Sequence, residues 1–245
     1  MKIDDFHNHV NQDSELFRVL RFLPRAQEDG PWLAGGSVWK AIENRPITHD
    51  LDFFFKNQAQ CAQWVRTLNS IPYDHHIVGE KENKYNRTYQ FHVYDKGYNK
   101  TVSVQCIHFK FWDSLQELLE GFDFTACQFG FDGHRLFAGD TAFDDLRDRV
   151  IRFNKVHDTV ATGIHLDKYI KCGFKIPASE QQKFDEIIKA VAARKNQPVS
   201  VTSSDDEAYP IPTPATPSPA SHSNTLMATF DSFFSTNSTA TTSLW

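Results

Sequence analysis

Residues 33–55, LAGGSVWKAIENRPITHDLDFFF, restrict the possible folds more than any other stretch of this chain. WLAGG reads as a short strand entering a glycine turn. Ser37 to Glu43 reads as a short helix capped by Ser37, with Pro46 breaking it, and Asp50 to Phe55 as a strand. Side chains alternate across a strand, so Asp50 and Asp52 emerge on one face and Leu51 on the other. Gly35 and Gly36 let a ligand approach the backbone closely, Ser37 offers a hydroxyl, and the first N–H groups of the helix point outward, which makes a small phosphate cradle. Two carboxylates on one face repel each other unless a cation lies between them. Such hard oxygen ligands suit Mg²⁺ (or Mn²⁺) bound together with nucleotide phosphates. Cradle and acid pair, separated by one short helix, predict a site for a nucleoside triphosphate.

The periodicity switches repeatedly between helix and strand spacing up to about residue 195, which predicts an α+β domain rather than a sandwich or a bundle. Helices are expected over Ser14 to Leu23, Gln58 to Leu68, Ser114 to Glu120, Val160 to Cys172 and Ser179 to Arg194. Thr88 to Tyr94 and Thr101 to Phe109 flank the turn-like DKGYNK and predict a hairpin. Phe124 to Phe131 reads as a further strand with a return after Asp132-Gly133. The sheet is thus expected between about residues 32 and 138. His7 and His9 read as part of a flexible, solvated amino terminus, and His49 as a strand-entry histidine. Three parts result: an α/β core with its N-terminal helix over 1–139, a helical unit over 140–195, and a tail over 196–245.

Composition changes at the tail. Six of the 11 prolines lie there, all 26 Lys and Arg lie before it, and PIPTPATPSPA cannot bury enough apolar surface to fold, so a disordered segment is expected. Leu226, Met227, Phe230, Phe233 and Phe234 then restore an apolar motif fit for a protein partner. The chain's net charge of −5 gives no reason to expect broad binding to nucleic acid or anionic lipid. No apolar run approaches membrane-spanning length, and MKIDDFHNHVNQDSE lacks the apolar core of a signal peptide, so no membrane partner and a cytoplasmic location are expected. Cys61, Cys106, Cys127 and Cys172 are far apart and form no C-x-x-C pair, which argues against a structural zinc site, and the apolar runs around Cys106 and Cys127 suit reduced, buried thiols.

The Gly-Gly-Ser turn followed by an Asp-x-Asp strand resembles the nucleotidyltransferase superfamily that includes DNA polymerase beta. TVSVQCIH, FDFTACQFGFDG and HLDKYIKCGFKIP look like elements of a poorly characterised, often virus- or mobile-element-encoded branch of it, so that the likeness spans residues 30 to 178. The resemblance implies a small mixed nucleotidyltransferase-type sheet with flanking helices. It implies a Mg²⁺-dependent transfer of a nucleoside monophosphate from a nucleoside triphosphate to an acceptor hydroxyl on a protein, an RNA end or a small molecule. Asp50 and Asp52 would hold metal, Gly35, Gly36 and Ser37 the phosphates, and Lys168 and Lys171, three apart on one helix face, would reach triphosphate oxygens.

The superfamily normally adds a third carboxylate from a neighbouring strand, and here Val102 to Ile107 carries Gln105 instead. The nearest substitutes are Asp123 and Asp95. Asp123 is preferred as the third catalytic acid because it stands at a strand start after a helix, although a capping acid is its other reading. Without a third acid the same fold would serve as a catalytically degenerate nucleotide-binding or virion-associated scaffold protein.

Overall fold

The structure, a computed structural model, describes residues 1–48, 50–71, 76–95 and 97–195; the expectations for the tail and for His49 lie outside them. The elements run in chain order as β1 (Lys2–Asp5), α1 (Glu15–Leu20), β2 (Trp32–Ala34), α2 (Gly36–Ile42), β3 (Leu51–Phe54) and α3 (Gln58–Asn69). Then come β4 (His76–Glu82), β5 (Asn86–Asp95), β6 (Tyr98–Ile107), α4 (Leu115–Glu120), β7 (Phe129–Phe131), β8 (Arg135–Ala138), α5 (Ala142–Asp148), α6 (Thr159–Lys171) and α7 (Gln181–Lys195). The strands form one mixed sheet in the order β1-β8-β7-β2-β3-β6-β5-β4, and among the described residues only β3 and β6 pair in parallel. The α+β class expected from the switching periodicities is the class observed.

Local chemistry explains the elements. Ser14, Asn57, Ser114 and Asp158 cap α1, α3, α4 and α6, each accepting a backbone N–H with its side-chain oxygen. The hairpin of β5 and β6 alternates as a half-covered sheet should. Tyr89, Phe91, Val93, Val102, Val104 and Cys106 are buried on one face, whereas Thr88 and Gln90 lie opposite Gln105 and Ser103 on the other. Asp95 pairs with Tyr98 across the tight turn, where Gly97 takes a φ of 85° that favours glycine.

The central strand β3 separates two apolar clusters. Leu51 and Phe53 belong to the larger one with Leu16, Val19, Val38, Trp39, Cys61, Trp64, Leu68, Leu166 and Ile187. Phe54, on the opposite face, joins Trp32, Ala34, Ile107, Trp112, Leu115, Leu118 and Leu119 beneath α4. Cys106 and Cys127 are free and buried as expected, Cys61 is free and buried too, and burial pushes the Cys61 thiol up to about 11 and that of Cys127 to about 12. Among the described residues no helix is long and apolar enough to cross a membrane.

Three expectations need correction. The amino terminus is not a flexible segment: β1 pairs with β8, Phe6 is fully buried with its ring 4.2 Å from that of Phe131, His7 stacks on Phe17 and His9 bonds Asp4. One buried aromatic supplies the anchor that the polar sequence around it conceals. The sheet accordingly extends beyond residues 32–138. The strand expected from Phe124 is a 3-10 turn at Thr125–Cys127 leading into the short β7. Thr125 is held out of line because its N–H donates to the Arg152 carbonyl and its hydroxyl to Asp145.

Truncating Phe6 to Ala is expected to destabilise the fold by about 3–5 kcal/mol, read as a shift of the urea midpoint, since the cavity would open between β7 and α1. A flexible amino terminus would leave the midpoint unmoved.

Candidate active site

The acid pair and the glycine turn meet because of strand register. Ala34 lies directly opposite Asp52 in the antiparallel pair of β2 and β3, so the chain leaves β2 into Gly35 and Gly36 at the level of the acids. Gly35 has φ 84°, ψ −134°, and its N–H donates to the Phe129 carbonyl at 2.8 Å. This left-handed residue, which favours glycine, starts α2 one residue earlier than expected. Gly35, not Ser37, is therefore the N-cap, and Ser37 lies inside the first turn. Its hydroxyl is buried and, among the described residues, without a hydrogen-bond partner. A Cβ placed on Gly36 would meet nothing within 4 Å, so the turn opens onto free space there.

On the other side of β3, Asp52 faces Gln105 across the parallel ladder with β6. Gln105 Nε2 donates to Asp50 Oδ2 at 2.6 Å, so the amide occupies the position where a third acid was sought. Burial first, and then the charge of Asp50, push the Asp52 carboxyl up from 3.8 to about 7, while the ammonium of Lys168 pulls it down. The charge of Lys168 on α6 is thus felt at Asp52. Lys171 is largely exposed and pairs with Asp167 on its own helix at 2.6 Å.

Asp123 accepts a hydrogen bond from, or donates one to, His165 Nδ1 through Oδ2 at 2.8 Å, and its carbonyl accepts the Asn154 N–H. Asp95 closes the β5–β6 hairpin. Among the described residues no group of three or more His, Cys, Asp or Glu side chains is arranged to hold a metal, so neither Asp123 nor Asp95 forms a third-carboxylate set with Asp50 and Asp52.

Sequence reasoning missed Lys40. It is buried one turn after Ser37, its Nζ lies 3.4 Å from Thr48 Oγ1 and 5.4 Å from the centre of the Trp39 indole ring, and burial holds its ammonium below the usual lysine range. Ser37 and Lys40 line one small cavity with Ala41, Arg45, Ile47 and Thr48, on the segment that leads into Asp50. The available signal was a lone cation in the apolar run VWKAI, three residues from Ser37 and so on its side of the helix.

Residues 2–149 match the model of the Gabija anti-defense 2 family. This chain belongs to that family. No curated protein matches the family member in sequence. Among solved structures it resembles the Thermotoga maritima CCA-adding enzyme complexed with tRNA, with a TM-score of 0.51 and 13% identity over 78% of this chain and 47% of that one. It also resembles a CCA-adding enzyme in complex with ATP and in an apo form, each with a TM-score of 0.53 and 16% identity over 80% of this chain and 48% of theirs. At such identities the likeness shows the fold: this Gabija anti-defense 2 family protein has a nucleotidyltransferase-type fold, as the Gly-Gly-Ser and Asp-x-Asp resemblance implied. It spans about half the length of the enzymes it matches.

The raised Asp52 carboxyl makes a pH prediction. In the folded chain it keeps its proton to about pH 7, whereas an ordinary aspartate loses it near 3.8. Its contribution to stability is therefore full below pH 3.8, declines as pH rises to about 7, and is flat above. Thermal melts without divalent cation should show Asp52→Asn more stable than the parent at pH 8, with the difference shrinking towards pH 4.

Proposed function

We propose that this protein binds a nucleoside triphosphate with Mg²⁺ or Mn²⁺ and transfers its nucleoside monophosphate to an acceptor hydroxyl, releasing pyrophosphate. The observation that carries this reading is the strand register that brings the Asp50–Asp52 pair to the level of the Gly35–Ser37 turn, with the charge of Lys168 favouring the ionised form of Asp52. The residues fit a divalent cation. Two carboxylates share one face with one of them held up to about 7 in part by the other's charge, a tension that a cation removes, and Ser37 leaves a buried hydroxyl unpaired beside an open glycine.

Asp50 and Asp52 would hold the cation. Once bound, it would neutralise triphosphate charge and stabilise the attacking and leaving oxygens. Gly36 and Ser37 would admit and hold the phosphates, and Lys168 would add positive charge from α6, fixing the α-phosphorus for in-line attack. Gln105 cannot accept a proton as a carboxylate does. The Asp123–His165 pair is the candidate for that task, because His165 lies three residues before Lys168 on α6 and its ring is held by the Asp123 carboxylate. The family's description supports a role in countering the Gabija defence, with the acceptor a protein, an RNA end or a small molecule.

The amide at Gln105 favours a second reading, in which the site binds nucleotide and does not transfer it. Incubating purified protein with labelled triphosphates, Mg²⁺ and cell lysate separates the two. Transfer predicts labelled product, reduced by at least about 100-fold in Asp50→Asn and Asp52→Asn with unchanged circular dichroism. Binding without any labelled product would favour the second reading.

Gly36→Val provides an independent check. Gly36 has room for a side chain and lacks the left-handed backbone of Gly35, so the melting temperature should hardly move. Triphosphate affinity should fall about tenfold or more, a loss of about 1.4 kcal/mol, because the methyls would enter the phosphate approach. Unchanged affinity in calorimetric titration would remove the cradle from the mechanism.

A further inference from the structure

We infer that Gln105 is a positioning residue that holds Asp50 for a single divalent cation, and that the Asn83–Asn86–Gln105 amide relay fixes the direction of that hold. The inference rests on the proposed nucleotide–metal site and adds what the amide does there.

The relay is polarised from its far end. The backbone N–H groups of Tyr85 and Asn86 donate to Asn83 Oδ1 at 2.8 and 3.1 Å, so this end of the Asn83 side chain must be its carbonyl. Its other end, Nδ2, donates to Asn86 Oδ1 at 3.1 Å, and the Thr88 hydroxyl donates to the same oxygen at 3.2 Å. Asn86 therefore turns Nδ2 towards β6, donating to Gln105 Oε1 at 3.0 Å. Gln105 is left with its NH₂ facing β3 and donates to Asp50 Oδ2. Every link has a donor meeting an acceptor, and reversing any one amide would oppose two oxygens or two NH₂ groups.

Two consequences follow at Asp50. The amide can only donate here, so Asp50 Oδ2 is an acceptor, and among the hydrogen bonds of the described residues none falls on Oδ1. One oxygen is anchored, and the other would be left for the cation. A glutamate or aspartate at position 105 would instead add negative charge opposite Asp52 and call for a second cation. Two carboxylates and one amide suit one ion with the triphosphate.

Mn²⁺ binding tests this without reference to turnover. The full chain is titrated with Mn²⁺ in the presence of a non-hydrolysable triphosphate analogue, with free Mn²⁺ read by electron paramagnetic resonance. The parent should bind one ion. Gln105→Met, similar in length but unable to donate, should bind it about 10- to 100-fold more weakly with an unchanged melting temperature in the absence of metal. Asn86→Ala should weaken binding less, since Gln105 stays but can turn. Gln105→Glu should bind two ions and show the spin-coupled signal of neighbouring Mn²⁺.

A parent that binds two ions, or a folded Gln105→Met with parental affinity, overturns the positioning role and leaves the nucleotide site standing. A parent that binds no Mn²⁺ with the analogue removes the site itself, and this inference with it.

Discussion

The position of β3 between β2 and β6 is the constraint on which the rest of the structure depends. Its two faces carry incompatible chemistry. Leu51 and Phe53 are fully buried, with the Phe53 ring 4.6 Å from that of Trp64, while Asp50 and Asp52 point to the opposite side. Because side chains alternate with period two, a slip of one residue would turn both acids into the larger core around Trp64 and pull Phe54 out of the cluster beneath α4. The register is thus fixed by burial. Once fixed, it places the turn after Ala34 and the amide of Gln105 at the level of Asp52, one from each neighbouring strand.

Holding two acids together has an electrostatic consequence that the surroundings offset only in part. Lys168 favours the charged form of Asp52, but burial and Asp50 outweigh it. Lys40, although buried nearby, is itself disfavoured as a cation by burial and by Arg45 and Lys168. The region therefore contains groups of both signs whose charged states are under strain. A triphosphate with a divalent cation carries the complementary charges, negative towards the lysines and positive towards the acids, so a ligand of that kind would relieve both sets together.

How much of this was legible in the sequence depends on whether burial left a periodic mark. The central strands did: the acid–apolar–acid step of β3 and the alternation of β5 and β6 are read directly from which face must be covered. The two unrecognised strands, β1 and β4, are the two edges of the sheet, and KIDD and HIVGEKE show largely exposed side chains with charges on both faces. Charged edges discourage pairing with another chain and, for the same reason, erase the signal of a strand. Within the site, the turn and the acid pair could be found from spacing. For Lys40 spacing offered only its place three residues from Ser37 in an apolar run, since its burial comes from α1, α2 and the segment before Asp50 packing together.

Gln105 shows the same limit at a single residue. Read along the chain it is an absence, a polar residue where an acid was expected, and it sends the search to Asp123 and Asp95. In the sheet it is a connection whose partners lie on three different elements: Asp50 ahead of β3, Asn86 at the start of β5, and Asn83 in the turn before it. The backbone of that turn sets the polarity of Asn83, and each amide then sets the next, so the orientation of the group facing Asp50 is decided at the far end of the relay. A lone glutamine beside a carboxylate could swing away and leave it unheld. One whose carbonyl is already taken by Asn86 has only its NH₂ to offer, and that separates a residue that has merely replaced an acid from one built to hold its neighbour.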